Sequence, residues 1–295
     1  MAVLLQDLLD STVARLLPFS DTPQLDAQVL LAHIFEKPRV WLLAHTGAAP
    51  DLKHTARLEK LVRRLERGEP LPYVLGHWEF FGLDFDLTPD VLIPRPETEL
   101  LVENAISWLR SQDAGSPKGR GHMVADIGTG SGCIAISLAK NLPGIRVLAT
   151  DISHAAVKVA RRNAKRLRVL SRIDFLTCDI LPKRVRSLTG FRQFDLLCAN
   201  LPYIPTAQLH ALPVYKTEPA LALDGGADGL DPFRKLFAVV PEWMAPGARI
   251  LLEVEATRGA AVLSLAYDVF TAASLHLHKD LAGHNRLLEI QLQPG

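Results

Sequence analysis

Val124–Ala125–Asp126–Ile127–Gly128–Thr129–Gly130–Ser131–Gly132 is the stretch that decides the fold. It reads as a buried strand handing over to a helix through glycines at alternate positions. Gly128 and Gly130 permit a tight turn and close approach of a ligand to the backbone, and Gly132 permits close helix packing. From here onward strand and helix patterns alternate, which predicts an α/β domain with a parallel sheet. Strands are predicted at Met123–Ile127, Ile145–Thr150, Ile173–Cys178, Phe194–Ala199, Ile250–Val254, Ser274–Leu277 and Leu287–Leu292, with helices between the first five. The last two, joined by Gly283–His284–Asn285, read as an antiparallel hairpin at the sheet edge.

Upstream, residues 1–68 carry helical signals only. Leu4, Leu5, Leu8, Leu9, Val13, Leu16 and Leu17 recur at helical spacing. Thr22–Pro23 reads as a helix cap followed by proline at the first helical position. Trp41–His45 and Leu58–Leu65 complete a small helical bundle. Its face of Arg57, Lys60, Arg63, Arg64 and Arg67 is more often a solvated face than a binding site. Residues 69–93, broken by Gly68, Pro70 and Pro72 and then strand-like around Trp78, Phe80, Phe81, Leu83, Phe85 and Leu87, read as a hairpin linker with Gly76 and Gly82 as turn residues. Residues 94–295 form the larger domain. It opens with a proline-stiffened entry to a helix, Ile93–Pro94–Arg95–Pro96–Glu97–Thr98–Glu99–Leu100, with Pro96 expected at the first helical position. Ser111, Asp113, Gly115, Ser116, Gly119 and Gly121 are expected in a polar loop.

The 295 residues are 48% hydrophobic and 22% charged, the composition of a soluble globular protein, and suggest one large domain plus a smaller one. Net charge is +1, so any nucleic-acid contact has to come from a local patch. Cys133, Cys178 and Cys198 form no CxxC pair, which argues for a reducing compartment without a disulfide scaffold or zinc site. No basic segment leads into a long apolar core and no apolar run approaches a bilayer span, so a cytoplasmic protein without a membrane partner is expected.

Acidic residues stand at the predicted strand ends. Asp151, ending the second strand, is placed to accept both hydroxyls of a ribose. Asp179, after the third, is positioned to accept from an adenine amino group, with Ile180 beside it to pack on the purine. The glycine spacing is GxGxG, not the GxGxxG of dinucleotide sites, and Asp126 precedes it. A pyrophosphate would be repelled by that carboxylate, whereas the ammonium of a sulfonium cofactor with an amino-acid tail could be held by it, directly or through water. S-adenosylmethionine therefore fits better than NAD, with Asp126, Ile127, Gly128, Thr129, Gly130, Asp151, Asp179, Ile180 and Asn200 as its expected site.

The fourth strand leads into Cys198–Ala199–Asn200–Leu201–Pro202–Tyr203–Ile204–Pro205. The Asn200 side-chain oxygen and the Leu201 carbonyl can each accept one hydrogen of a planar –NH2 group, on which Tyr203 can stack. Pro202 holds Leu201 extended, so that its carbonyl can point outward. The alternative is an ordinary strand exit.

Taken together these residues resemble the class I methyltransferases of the HemK/PrmC family. The resemblance covers nearly the whole chain. It rests on Gly68–Glu69–Pro70 with Gly76, Glu79 and Phe80; on Leu92–Ile93–Pro94–Arg95–Pro96–Glu97–Thr98–Glu99; on the Asp126 to Gly132 loop; on Asn200 to Ile204; and on Glu218–Pro219 with Ala222–Leu223. The resemblance implies a helical N-terminal domain that recognises a protein substrate, a hairpin linker and a seven-stranded Rossmann-like methyltransferase sheet. It implies methyl transfer from S-adenosylmethionine, leaving S-adenosylhomocysteine, to the side-chain amide nitrogen of the Gly-Gly-Gln glutamine of peptide chain release factors. No metal and no stable nucleic-acid partner are implied. Asn200, Leu201, Pro202 and Tyr203 would be the catalytic loop. Arg95 and Glu97 read either as part of a well-capped helix start or as groups that help close the substrate pocket, and Glu218 as a polar group of that pocket or an ordinary loop carboxylate. The family has proline where Leu201 stands. A leucine supplies the same carbonyl and forgoes one locked φ angle, a term of a few tenths to ~1 kcal/mol.

Three other readings compete. A ribosomal-protein glutamine methyltransferase would look much the same. An adenine amino methyltransferase acting on DNA would normally carry a strongly basic recognition domain, which this neutral chain lacks. A non-catalytic cofactor-binding interaction module would not need the Asn200–Tyr203 loop. The run Lys158, Arg161, Arg162, Lys165, Arg166, Arg168 and Arg172 reads as a solvated helix face or as a docking surface for an acidic partner.

Overall fold

The structure, a computed structural model, describes residues 4–113, 121–182 and 193–295. It divides into two compact units between His77 and Trp78.

The first unit is helical: α1 (Leu5–Leu16), α2 (Pro23–Phe35), α3 (Arg39–Ala44), α4 (Leu52–Glu66) and α5 (Leu71–Leu75). Leu5, Leu9 and Leu16 of α1, Leu30, Leu31 and Ile34 of α2, and Leu58, Leu61, Val62 and Leu65 of α4 are buried. Within each set the residues recur at the one-, three-, four- or seven-residue steps that share a helix face, so each helix lends one apolar stripe to a common core. Pro23 opens α2, where its missing N–H would have had no partner in any case. The polar face of α4 is largely committed within the unit. Arg63 pairs with Glu59 at 2.7 Å, Arg57 donates to His33 Nε2 at 2.9 Å, and Arg15 of α1 sits between Glu59 and Glu66. The unit also runs past the break expected at residue 68. Arg64 binds Glu69 and donates to the carbonyls of Tyr73 and Val74, both at 3.0 Å, while α5 packs on α2 and α4 through buried Leu71 and Val74.

The hairpin follows as β1 (His77–Phe80) and β2 (Leu83–Asp86). Phe81 (φ 52°) and Gly82 (φ 70°) are both left-handed, the turn geometry whose twist matches that of paired strands. Phe80 and Phe85 are buried edge to face, their rings 6.2 Å apart. Helix α6 (Thr98–Asp113) begins after Pro96, because residues 95–98 first make a turn closed by Thr98 N–H donating to the Arg95 carbonyl at 3.0 Å. Ser111 and Asp113 finish this helix instead of lying in a loop, while Gly115, Ser116 and Gly119 fall outside the described residues.

The main sheet contains β3 (Met123–Ile127), β4 (Arg146–Asp151), β5 (Ile173–Thr177), β6 (Phe194–Ala199), β7 (Met244–Glu253), β8 (Ser274–Lys279) and β9 (Asn285–Gln291). Helices α7 (Cys133–Asn141) and α8 (His154–Arg166) connect β3 to β4 to β5. Helices α9 (Thr206–Leu209) and α10 (Asp231–Val239) precede β7, and α11 (Gly259–Val269) follows it. The order is β5-β4-β3-β6-β7-β9-β8, parallel from β5 to β7, with β9 antiparallel to both neighbours. Of the terminal hairpin, only β8 is the sheet edge. Strand β7 starts at Met244, not Ile250, since Met244 pairs with Phe194 ahead of a register shift. A helix expected between β5 and β6 falls largely on residues 183–192, outside the described residues. Because the strand order reverses between β3 and β6, a crevice opens at the carboxyl ends of those strands.

Helix α8 holds the hairpin to the sheet domain. Asn163 is fully buried; its Oδ1 accepts from Asp86 N–H at 2.8 Å, and its Nδ2 donates to the carbonyls of Asp86 (3.0 Å) and Ser131 (2.9 Å). Around it Arg162 pairs with Asp86 and Arg166 with Asp84 and Asp86. Arg161 covers the Phe175 ring and Arg172 donates to the Leu142 carbonyl. Much of the basic run therefore has intramolecular work. Asn163→Ala leaves buried backbone groups without partners and is expected to cost about 2–4 kcal/mol. Arg162→Ala, at a half-exposed ion pair, should cost under ~1 kcal/mol. Chemical denaturation of both variants checks the contrast.

Candidate active site

Two carboxylates shape the glycine loop. Asp126, fully buried at the end of β3, accepts at Oδ2 from Thr129 Oγ1 (2.7 Å) and from the Ala135 N–H (3.1 Å), tying the loop to the first turn of α7. Its Oδ1 has no hydrogen-bond partner. Burial pushes its carboxyl up to about 7, against the opposing pull of those two donors. Asp151, ending β4, accepts from Gly130 N–H at 2.9 Å and Ser153 N–H at 2.8 Å, and burial raises its carboxyl too. At Gly132 (φ 85°) a Cβ would lie 2.8 Å from Ile136 Cδ1 and 3.2 Å from Ala160 Cβ, so only glycine lets α8 lie this close.

Above the loop is a cavity of about 230 Å³. Ile127, Gly128, Thr129, Gly130, Asp151, Asp179, Ile180 and Asn200 all line it. Asp126 does not: its carboxylate is turned beneath the loop, so it shapes the cradle from below and offers no direct grip on a ligand ammonium. Asp179 is held by Lys235 of α10 at 3.1 Å. Ile180 has φ 59°, a strained value for a β-branched residue worth about 1–3 kcal/mol. Thr150 Oγ1, donating to its carbonyl at 2.7 Å, helps hold it there with its side chain at the cavity.

A second cavity, about 180 Å³, adjoins the first. Tyr203, Ile204, Val214 and Leu223 line it alone, whereas Leu92, Arg95, Asn200, Leu201, Pro202 and Ala222 line both. The exit from β6 is thus a partition between two chambers, with Asn200 facing each. Arg95 is fixed by Glu218 at 2.5 Å, and Glu218 also accepts from Ile93 N–H at 3.0 Å. Glu218 is buried and acts through Arg95 rather than lining a chamber. Glu97 is exposed and lines neither. Tyr203 is set by the segment after it: Ile204 N–H donates to the Leu223 carbonyl at 3.1 Å, the Ile204 carbonyl accepts from Gly225 N–H at 2.8 Å, and at Gly229 (φ 80°) a Cβ would lie 2.3 Å from the Tyr203 carbonyl oxygen. Burial pushes the Tyr203 phenol up to about 12.

Thr98 and Glu253 were not anticipated at the site. Asn200 Nδ2 donates to Thr98 Oγ1 at 3.1 Å, and Thr98 Oγ1 donates to Glu253 Oε2 at 2.6 Å. The available signal was the carboxylate of Ile250–Leu251–Leu252–Glu253–Val254, placed in a strand apolar enough to demand a buried partner.

Does this site suit an adenosyl cofactor? A Cβ built on Gly128 would lie 3.6 Å from Leu201 Cδ2 and 3.7 Å from the Asn200 carbonyl, filling the cradle where the loop meets the partition. Asp151 and Asp179 stand at successive strand ends along the same cavity. The residues fit. Among the described residues no group of three or more His, Cys, Asp or Glu side chains could hold a metal ion, and no helix is long and apolar enough to cross a membrane.

Comparison with known proteins agrees with this arrangement. A family model described as the PrmC N-terminal domain matches residues 7–76, and one described as a methyltransferase domain matches residues 124–213. A release factor glutamine methyltransferase of Moorella thermoacetica is 41% identical over 267 residues, 90% of this chain and 90% of that protein. One from Bordetella pertussis is 38% identical over 90% of this chain and 93% of its own length. The chain belongs to the release factor glutamine methyltransferase family. Members of this family are S-adenosylmethionine-dependent enzymes with a Rossmann-like methyltransferase domain, and that is the chemistry of this chain. A methyltransferase from Pyrococcus furiosus, 17% identical with a TM-score of 0.50 over 81% of this chain and 98% of that one, shares the fold.

Gly229→Ala should displace Tyr203 and lower the stability of the sheet domain by about 2 kcal/mol or more, read by denaturant titration. The raised carboxyl of Asp126 sets a pH dependence of opposite sign to an ordinary salt bridge. Its contribution is full below the unfolded carboxyl value near 4 and is lost as pH rises through about 7. Unfolding free energy measured from pH 4 to 8 should fall more steeply with pH in the wild type than in Asp126→Asn.

Proposed function

We propose that this chain methylates the side-chain amide nitrogen of a release-factor glutamine, in the Gly-Gly-Gln context, in the cytoplasm. The meeting of two chambers at Asn200 carries this reading: one chamber suits a nucleoside with an amino-acid tail, and the other is lined by Tyr203, Arg95 and aliphatic groups. The relatives' names point to the same substrate.

In this reading Gly128, Thr129 and Gly130 cradle the amino-acid tail, with Ile127 at the strand exit and Asp126 holding the loop from beneath. Asp151 takes the ribose hydroxyls, Asp179 the adenine amino group, and Ile180 packs on the purine. S-adenosylmethionine supplies an electrophilic methyl group on its sulfonium and departs as S-adenosylhomocysteine. The glutamine amide, a weak nucleophile because its lone pair is delocalised, enters the second chamber. Asn200 Oδ1 accepts one of its hydrogens and the Leu201 carbonyl the other. Pro202 keeps that carbonyl outward, and Tyr203 lies against the amide plane. Arg95, held by Glu218, closes the wall between the chambers. Orientation and exclusion of water do most of the work, within the ~7–11 kcal/mol that well-placed intramolecular reactions reach. The methylated amide then yields its extra proton to water. The unit that ends at His77 would recognise the body of the release factor, with no nucleic acid or membrane required.

Purified protein, labelled S-adenosylmethionine and, in parallel, release factor, ribosomal protein and DNA test this proposal. Label is expected on release-factor glutamine. Label on ribosomal protein or adenine instead, or on none of the three, defeats it. Asn200→Ala should lower transfer by roughly a hundredfold or more while cofactor affinity stays close to wild type, and Asp151→Ala should instead weaken cofactor binding. A variant beginning at Trp78 should bind cofactor and fail on the protein substrate.

A further inference from the structure

We infer that Glu253 is a positioning residue: through the Thr98 hydroxyl it dictates which end of the Asn200 carboxamide faces the substrate. The inference rests on the proposed role of Asn200 in gripping the glutamine amide.

An asparagine side chain is symmetric in shape but opposite in function at its two ends. Only the orientation with Oδ1 toward the second chamber can accept a hydrogen from the substrate –NH2. The structure shows what selects that orientation. Thr98 Oγ1 lies 2.6 Å from Glu253 Oε2 and 3.1 Å from Asn200 Nδ2, and both Thr98 and Glu253 are buried. An ionised carboxylate only accepts, so the single hydroxyl proton of Thr98 points at Glu253. The Thr98 oxygen is then left to accept, and it takes a proton from the Asn200 –NH2. With Nδ2 committed inward, Oδ1 is presented outward. A protonated Glu253 reverses the chain of donors: it donates to Thr98, the hydroxyl proton turns to Asn200, and Asn200 offers its oxygen to Thr98 and its –NH2 to the substrate. Two –NH2 groups then face each other and the grip is lost.

Glu253 sits at the end of β7 in surroundings that bring this reversal within reach. Burial pushes its carboxyl up to about 7, the Thr98 hydroxyl pulls it down, Glu97 ahead of α6 raises it, Arg286 of β9 lowers it, and the Asn200 carboxamide lowers it least. Tyr203 beyond β6 and Cys133 at the start of α7 also feel its charge, and both remain neutral near pH 7 because burial raises them to about 12. Glu253 is therefore the group of this set expected to change charge near neutrality.

Steady-state methylation of a release factor by the full-length chain, from pH 5.5 to 8.5, tests the inference with four variants. Wild-type kcat should rise with pH through neutrality. Glu253→Gln, which cannot ionise, should lose that limb. Thr98→Val, equal in shape but without a hydroxyl, should lower kcat by roughly tenfold or more with KM for S-adenosylmethionine within about twofold. Thr98→Ser, which restores the hydroxyl, should recover most of the loss. Asn200→Ala reports on the underlying reading: if it keeps wild-type kcat, the grip itself is wrong and the relay falls with it. If Asn200→Ala is inactive while Thr98→Val keeps wild-type kcat, or while Glu253→Gln keeps the wild-type pH limb, the relay alone is overturned. Thermal melting separates these outcomes from misfolding, because a poorly folded Thr98→Val would lose cofactor affinity together with kcat.

Discussion

The sheet domain depends on carboxylates that accept hydrogen bonds from the loop between β3 and α7. Three glycines in left-handed conformations would by themselves leave that loop among the least ordered parts of the chain. Asp126 from below and Asp151 from the neighbouring strand supply the missing constraint, one seizing Thr129 and the start of α7, the other Gly130. Both sit where burial raises the energy of the charged form. Acceptors are kept there because backbone donors are otherwise unpartnered, and an apolar substitute could not accept from them.

The same logic governs the wall between the chambers. By itself Asn200–Leu201–Pro202–Tyr203 is a short irregular stretch leaving a strand. Its shape comes from outside: Thr98 and Glu253 behind Asn200, the Glu218–Arg95 pair beside it, and the glycines at 225 and 229 pressed against the Tyr203 backbone. These supports come from α6, β7 and the segment after α9, elements far apart in the chain.

That distance explains what could be seen in the sequence. The strands, the glycine loop and the acids at the strand ends are local patterns, a run of apolar residues followed by a turn or a charge, and the structure has them with boundaries moved by a few residues. The relations that escaped are between side chains remote in sequence. Glu253 and Thr98 are 155 positions apart, and no periodicity links a threonine at a helix start with a glutamate in a strand. Glu97, chosen for its place in a motif, proved to be exposed beside the buried Thr98 that touches the site. Asp126 binds Thr129 and the start of α7 and does not line the cavity, since spacing says where a side chain starts and not which face of the backbone it fills. The break at residue 68 was a true turn that did not end a unit, because Arg64 carries the chain across it.

Leu201 is the departure from the family pattern, and it is buried, with Cδ2 close to where a Gly128 side chain would begin. The leucine exchanges a stiffer backbone for a side chain wedged between the first cavity on one side and the second on the other. Position 201 therefore cannot drift on its own: whatever residue replaces it reshapes both cavities at once, and a change that widened one would have to be answered at Gly128 or Pro202.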